Sequence, residues 1–324
     1  MIDELRFDGR VALVTGAGRG MGRAHAMLLA SRGARVVVSD TGTDLFGTGH
    51  DAEPAAETVD AIRQLGGDAV PYVEDLTDEG GARGAVRATI DAYGRIDVLV
   101  HNAGFTLGGM AFENESLERL DKLLAINTRA AYALVQEAWP VMQRQQHGRI
   151  VLAASTAIYG LAGSIPYSTA KASFIGFTRG LAREGEAFGI TVNLLEPAGA
   201  TRMAENMAHS EFRDWFLATM RPELVSPVVA ALVHSTCSVT GEMLVVGGGR
   251  VARTVMAETL GYLSTNLTPE DVLEHLPEVL SETDYTYPID AADAGAIAAA
   301  VLGYDLTEPV LMAAAVLPRR EHST

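Results

Sequence analysis

The amino-acid sequence predicts an α/β fold built on one doubly wound parallel sheet, and three observations predict it. Short runs rich in Val, Ile and Leu recur over roughly residues 7–250, stretches with helical spacing separate them, and the first run ends in a glycine cluster. Strands alternating with helices need crossover connections, which lay helices over both faces of a parallel sheet.

The elements follow in order. Val11–Thr15 is an apolar run closed by glycines, a buried strand entering a tight turn. Gly22–Arg32 carries Ala26, Leu29 and Ala30 at helical spacing and stops at Gly33. Arg35–Ser39 is a Val-rich strand ending at Asp40, and Thr41–Ala52, rich in Gly, Thr and Asp, is a loop. Pro54–Leu65 is a helix closed by Gly66 and Gly67. Ala69–Val73, Ile96–Val100, Ile150–Ala153, Thr191–Leu195 and Met243–Val246 are further strands, with helices between them that include Leu117–Gln143. Residues 1–261 read as one domain without repeat or linker, and 262–324 as a helical C-terminal extension. In that extension Thr268–Leu280 is a helix with Thr268 at its N-cap and Pro269 in its first turn, and Ala291–Leu302 is Ala-rich.

Charge and composition exclude several classes. The net charge of −16 repels phosphate backbones, so no nucleic-acid partner is expected. No apolar run approaches the ~18 residues of a spanning helix, so no membrane partner is expected. The start, Met1–Glu4, has no basic flank leading into an apolar core, and a cytoplasmic location is the expectation. The single Cys237 excludes an intrachain disulfide and fits a reducing compartment. Eight scattered histidines show no paired ligand spacing, so no metal is expected.

The first strand runs into Gly16-Ala17-Gly18-Arg19-Gly20-Met21-Gly22. Glycines let the chain turn tightly and let a pyrophosphate approach the free N–H groups of the next helix. The strand-then-helix context supports a nucleotide site, although the glycine spacing differs from the commonest dinucleotide fingerprint. Asp40, at the end of the second strand, can accept hydrogen bonds from ribose hydroxyls and would repel a 2′-phosphate. Alone, Asp40 reads equally as a loop acid capping a turn; beside the glycine turn the ribose reading wins. Arg19 pulls toward a 2′-phosphate, but Asp40 lies where the ribose must sit and Thr41 adds no second cation. NAD is therefore expected over NADP.

The run Thr15–Gly22, then Asp75-Leu76, then His101-Asn102-Ala103-Gly104, then Asn127, Ser155 and Tyr167-Ser168-Thr169-Ala170-Lys171 resembles the short-chain dehydrogenases over about residues 7–250. The resemblance implies a Rossmann fold. It departs from the family at His101, where asparagine is usual.

The chemistry can be argued from the residues. Tyr167 and Lys171, four positions apart, share one face of a helix. A free phenol near pKa 10 is a poor base at neutral pH, and a neighbouring ammonium lowers it. Tyr167 can then exchange a proton with an alcohol or ketone as hydride moves to or from nicotinamide. By itself such a pair is more often an ordinary amphipathic face. Ser155 can donate to the substrate oxygen, with Ser164, Ser168 and Thr156 as rivals that only the resemblance sets aside. Asn127 inside a helix reads as a surface residue; the resemblance implies instead a bend and a water relay to the lysine. It also implies that Lys171 binds the nicotinamide ribose, that Asp75 and Leu76 flank the adenine, that Asn102, Ala103 and Gly104 line the cleft, and that Pro197 lies near the nicotinamide, within a Pro-Ala-Gly where Pro-Gly is usual.

Thr201–Arg221, with Met203, Met207, Phe212, Trp215, Phe216, Leu217 and Met220, suits a mobile lid over a greasy substrate or equally a helix packed on the core. Segments such as Phe7–Val11, Ile158-Tyr159-Gly160, Arg221-Pro222-Glu223 and Glu258–Gly261 are similar to the dehydrogenase domain of the peroxisomal multifunctional beta-oxidation enzymes and to bacterial relatives. That subgroup implies a (3R)-hydroxyacyl-CoA or hydroxysteroid substrate. No basic cluster marks a CoA phosphate site. A generic alcohol or ketone oxidoreductase and a nucleotide-binding regulator without catalysis remain alternatives, and the intact Ser155, Tyr167 and Lys171 weigh against the second; a sugar-nucleotide epimerase would space its glycines differently and carry a larger substrate domain than the tail from Thr268 allows. The family usually forms dimers or tetramers through the helices holding Asn127 and Tyr167, and a homodimer or homotetramer is expected, with Ala130, Ala131, Ala133, Ala138 and Ala172 allowing close approach.

Overall fold

The computed structural model describes residues 4–205 and 209–303. Its first compact unit ends at Thr254 and a second begins at Val255. The sequence placed the change at Gly261, beyond the last strand of the sheet.

In chain order the first unit contains β1 (Val11–Thr15), α1 (Gly20–Ser31), β2 (Arg35–Ser39), α2 (Glu53–Gln64), β3 (Asp68–Tyr72), α3 (Glu79–Tyr93), β4 (Val98–His101), α4 (Leu117–Leu124), α5 (Ala130–Gln145), β5 (Gly148–Ala153), α6 (Ile165–Gly185), β6 (Ile190–Pro197), α7 (Arg202–Glu205), α8 (Glu211–Thr219), α9 (Ser226–Val233), β7 (Met243–Gly247) and β8 (Arg250–Thr254). The sheet order is β3-β2-β1-β4-β5-β6-β7-β8. The first seven strands are parallel, with Val14 opposite Val38 on one side and Val100 on the other. The order reverses between β1 and β4, and this is where a doubly wound sheet opens a crevice at the carboxyl ends of its strands.

Every residue of β1 and of β5 is buried, as a strand covered on both faces requires. Ala12, Val14, Val36 and Val151 face one apolar layer with α1 and α9; Leu13, Val37, Ile150 and Leu152 face the other with α3, α5 and α6. Local chemistry sets the helix ends. The Asp78 side chain accepts the Gly80 N–H at the start of α3, and Gly94 at φ +76° ends it.

Two features depart from expectation. β8 pairs antiparallel with β7 across Gly248-Gly249, both at positive φ, a two-residue hairpin turn. Its Arg-Val-Ala-Arg-Thr sequence has too little apolar content to announce an edge strand. The helix expected at Leu117–Gln143 is interrupted by a π turn at Ala125–Arg129, where the Ala130 N–H reaches the Ala125 carbonyl five residues back.

The second unit holds α10 (Pro269–Val279) and α11 (Ala291–Val301). Thr268 and Asp271 form a reciprocal capping box on α10, and Tyr262 stacks on His275 with centroids 3.8 Å apart.

Candidate active site

The chain leaves β1 through Gly16 at φ +62° and enters α1 at Gly20, φ +55°. Both are left-handed conformations that favour glycine. A Cβ on Gly22 would overlap the Gly16 carbonyl, so Gly22 serves close packing of helix on strand and does not line the cleft. The cleft is about 1040 Å³ including its open mouth, and ten expected residues line it: Gly16, Arg19, Gly20, Met21, Asp40, Asp75, Leu76, Asn102, Ala103 and Gly104.

Asp40 accepts the Gly18 N–H on Oδ2 and the Gly42 N–H on Oδ1, both at 2.8 Å. These bonds fix the carboxylate beside the glycine turn and leave acceptor positions over, since a carboxylate has about four. Arg19 stands 3.9 Å from Asp51, a loose and exposed pair. Asn102 donates to the Gly16 carbonyl at 3.3 Å, and its Oδ1 is buried without a partner. No side chain caps the N-terminus of α1. Open helix N–H groups, a glycine cradle and a fixed carboxylate suit a dinucleotide.

Sequence reasoning missed part of the lining. Thr41, Thr43, Asp44, Leu45 and Gly47 of the long loop contribute, as do Phe105, Ile126, Thr201 and Arg202. Gly47 lies against the Phe105 ring, and Arg202 donates to the Thr43 carbonyl at 3.3 Å, so the loop spans the cleft. The sequence signal was there only as loop length and glycine content. Pro197 ends β6 outside the lining; the segment after it reaches the cleft instead, with Thr201 next to Gly20 and Gly199 against Met21.

The four expected catalytic residues converge. Ser155 caps the short turn after β5, accepting the Ala157 N–H at 3.1 Å, and its hydroxyl also hydrogen-bonds to Tyr167. Ser168 accepts the Leu161 N–H at 3.0 Å, whereas the bond to Tyr167 singles out Ser155. Lys171, one turn beyond Tyr167 on α6, is buried; its Nζ donates to the Ala153 carbonyl at 2.7 Å and lies 5.8 Å from the Tyr167 ring centre. Two of its three N–H donors remain for a ribose. Asn127 sits in the π turn, fully buried, and its amide donates to the Leu123 carbonyl at 2.9 Å. That bond turns Oδ1 the other way, toward Gly104, where a Cβ would meet Asn127 Oδ1 at 2.7 Å and Lys171 Nζ at 3.3 Å.

The electrostatics correct one expectation. Burial pushes the Tyr167 phenol above its ordinary value, and the Ser155 hydrogen bond pulls it part of the way back. A depressed phenol was expected from Lys171. Burial penalises that ammonium too, lowering Lys171 to about 7.

Of the apolar segment after β6, Met207 lies outside the described residues. In α8, Phe212 and Trp215 are exposed, with ring centres 5.6 Å apart.

Comparison with known proteins agrees with this geometry. The family model described as short chain dehydrogenase matches residues 10–211. The chain is 36% identical over 298 residues to the peroxisomal hydratase-dehydrogenase-epimerase of Neurospora crassa, covering 90% of this chain but only 32% of that protein. It is 36% identical over 250 residues to a (2S)-[(R)-hydroxy(phenyl)methyl]succinyl-CoA dehydrogenase subunit of Thauera aromatica, covering 74% of this chain and 96% of that one. The full-length peroxisomal multifunctional enzyme type 2 of Drosophila melanogaster superposes with a TM-score of 0.76 at 29% identity, over 92% of this chain and 50% of that chain. The chain thus spans about a third and a half, respectively, of these two multifunctional proteins.

Proposed function

The chain belongs to the short-chain dehydrogenase family, oxidoreductases of CH–OH groups that use a nicotinamide cofactor, and from that premise we propose that it prefers NAD and oxidises the secondary alcohol of a (3R)-hydroxyacyl-CoA thioester to the ketone. The observation that carries the reading is the convergence of Ser155, Tyr167, Lys171 and Asn127 beside a cleft whose ribose end holds Asp40.

The cofactor, when bound, supplies the hydride acceptor. The chain does the rest. The glycine turn and the N-terminus of α1 hold the pyrophosphate. Asp40 accepts from the adenosine ribose, and its charge opposes a 2′-phosphate. The spare N–H groups of Lys171 hold the nicotinamide ribose. Ser155 donates to the substrate oxygen and Tyr167, in its phenolate form, takes the alcohol's proton. Asn127 Oδ1 offers an acceptor on the path from Lys171.

Two relatives support the substrate class. One names a CoA thioester with an (R)-hydroxyl as what it dehydrogenates. The other pairs a dehydrogenase with a hydratase, and hydration of a double bond yields the alcohol that a dehydrogenase then oxidises. Exposed Phe212 and Trp215 of α8 suit contact with an acyl chain. A homodimer or homotetramer is supported by Tyr132 of α5, which is exposed and stacks on Phe177 of α6 at 5.3 Å.

The test is NADH formation with (3R)- and (3S)-hydroxyacyl-CoA, hydroxysteroids and simple secondary alcohols, run beside Tyr167→Phe. Turnover of only the (3R) thioesters, abolished in the variant, establishes the reading. Turnover of steroids or alcohols alone keeps the chemistry and overturns the substrate.

A further inference from the structure

His101 ends β4 at 1% exposure, at the position where the sequence departs from its family. The ring packs edge-on against Phe174, with centres 6.2 Å apart at 75°. Its hydrogen bonds fix its tautomer. Thr15 Oγ1 accepts the Asn102 N–H at 3.1 Å and the Ala103 N–H at 3.0 Å. A hydroxyl has two acceptor positions and one proton. Both acceptor positions are taken, so the proton goes to the remaining neighbour, His101 Nδ1 at 3.0 Å. An Nδ1 that accepts leaves the ring proton on Nε2.

Burial and the nearby Lys171 hold this imidazole far below its ordinary value, at about 3, so the ring is neutral at working pH. Nε2 is buried and meets no acceptor at good hydrogen-bond geometry. The carbonyl groups of Ile126 and Asn127 nonetheless lie against the ring, close enough to favour a proton on it. Both belong to the π turn, whose five-residue spacing displaces its carbonyls from regular helical pairing.

We propose that His101 is a positioning residue: its imidazole ties Thr15, which holds the Asn102-Ala103 turn of the cofactor cleft, to the π turn that sets Asn127 against Lys171. One neutral ring thereby fixes the separation of the cofactor turn and the proton-relay residue. An apolar replacement of similar size would leave the Thr15 hydroxyl proton unmatched inside the core and take the polar ring edge away from the π-turn carbonyls, and both elements would settle into new positions.

This rests on the dehydrogenase reading, so the test has one arm that needs no turnover. NADH affinity, read by fluorescence titration, and kcat, KM and the kcat–pH profile on a substrate that the wild type turns over, are compared for His101→Phe and His101→Asn. Melting curves check folding, and His101→Met replaces His101→Phe if the latter does not fold. In the apolar variant NADH affinity weakens, kcat falls by about tenfold or more, substrate KM holds and the kcat–pH profile moves. His101→Asn, which keeps one acceptor and one donor, returns these toward wild type. An apolar variant with wild-type NADH affinity and an unmoved kcat–pH profile overturns the proposal, and so does an asparagine variant as impaired as the apolar one. Absence of turnover by the wild type would sink the dehydrogenase reading instead, and NADH affinity would still decide the link through Thr15.

Discussion

Replacing Lys171 by methionine should make the cofactor-free protein more stable at neutral pH while abolishing turnover. The ammonium is 4% exposed, with the Ala153 carbonyl as its hydrogen-bond acceptor. Burial lowers its pKa from 10.5 to about 7. In the unfolded chain the amine keeps its ordinary value. Between about pH 7 and 10.5 the unfolded state therefore binds the extra proton, and wild-type stability climbs with pH. Below pH 7 both states are charged and the whole cost is present. A fall from 10.5 to about 7, at about 1.4 kcal/mol per pH unit, sets a ceiling of roughly 5 kcal/mol. Against it stand the lost hydrogen bond and the orphaned Ala153 carbonyl, together about 2–3 kcal/mol. The net gain is roughly 2 kcal/mol, several degrees in Tm for a domain of this size. The advantage should shrink by about 1.4 kcal/mol for each pH unit above 7 and reverse in the alkaline range. Melting curves of both proteins at about pH 6, 8 and 9.5 measure it. A variant less stable than wild type at the lowest pH, or a difference that ignores pH, would refute the reasoning.

Other outcomes follow from the same geometry. Asp40→Ala should raise kcat/KM for NADP relative to NAD by about tenfold or more, since removing one charge near a 2′-phosphate is worth about 1–4 kcal/mol; an unchanged coenzyme ratio would shift the selection to Arg19 or the loop. Ser155→Ala should cost roughly 10²-fold or more in kcat and move the oxidation profile to higher pH, because the hydrogen bond it deletes is what pulls Tyr167 down; a profile that stays in place counts against that bond. Gly104→Ala should lower kcat and cost about 1–3 kcal/mol, since its Cβ would press on Asn127 Oδ1 at 2.7 Å; wild-type turnover in this variant would separate Gly104 from the Asn127–Lys171 pair.

The sheet and the reactive residues were legible because their signals are local. Five-residue apolar runs closed by glycines mark buried strands, and a Tyr and Lys four apart must share a helix face. The π turn was not legible. It depends on the Asn127 amide capping the Leu123 carbonyl, and mid-helix asparagine looks the same whether it faces solvent or a core. The loop spanning the cleft was hidden for a related reason: the sequence shows its glycines, but Gly47 against Phe105 and Arg202 on Thr43 are contacts across the chain. The direction of the Tyr167 shift was also out of reach, because charge proximity could be read from spacing and burial could not.

Among the described residues, buried polar groups without partners gather at the carboxyl end of the sheet more than at the amino end, where Arg35 Nε and Thr191 Oγ1 also lack one. At the amino end Asp97 is wholly buried yet takes Arg10, Arg95 and the Val11 N–H, and Arg149 spends its guanidinium on the carbonyls of Gly148, Gly189, His234 and Ser235. Such saturated networks hold strands in place. At the carboxyl end Ser39 Oγ, Asn102 Oδ1, Asn127 Oδ1 and both carboxylate oxygens of Glu196 are buried without partners, and burial lowers Lys171 to about 7. Each unmatched group costs about 1–3 kcal/mol. A fold tolerates that cost where something else completes the bonds, and Asn102 Oδ1 and Asn127 Oδ1 stand at the carboxyl ends of the strands, where a doubly wound sheet opens its crevice.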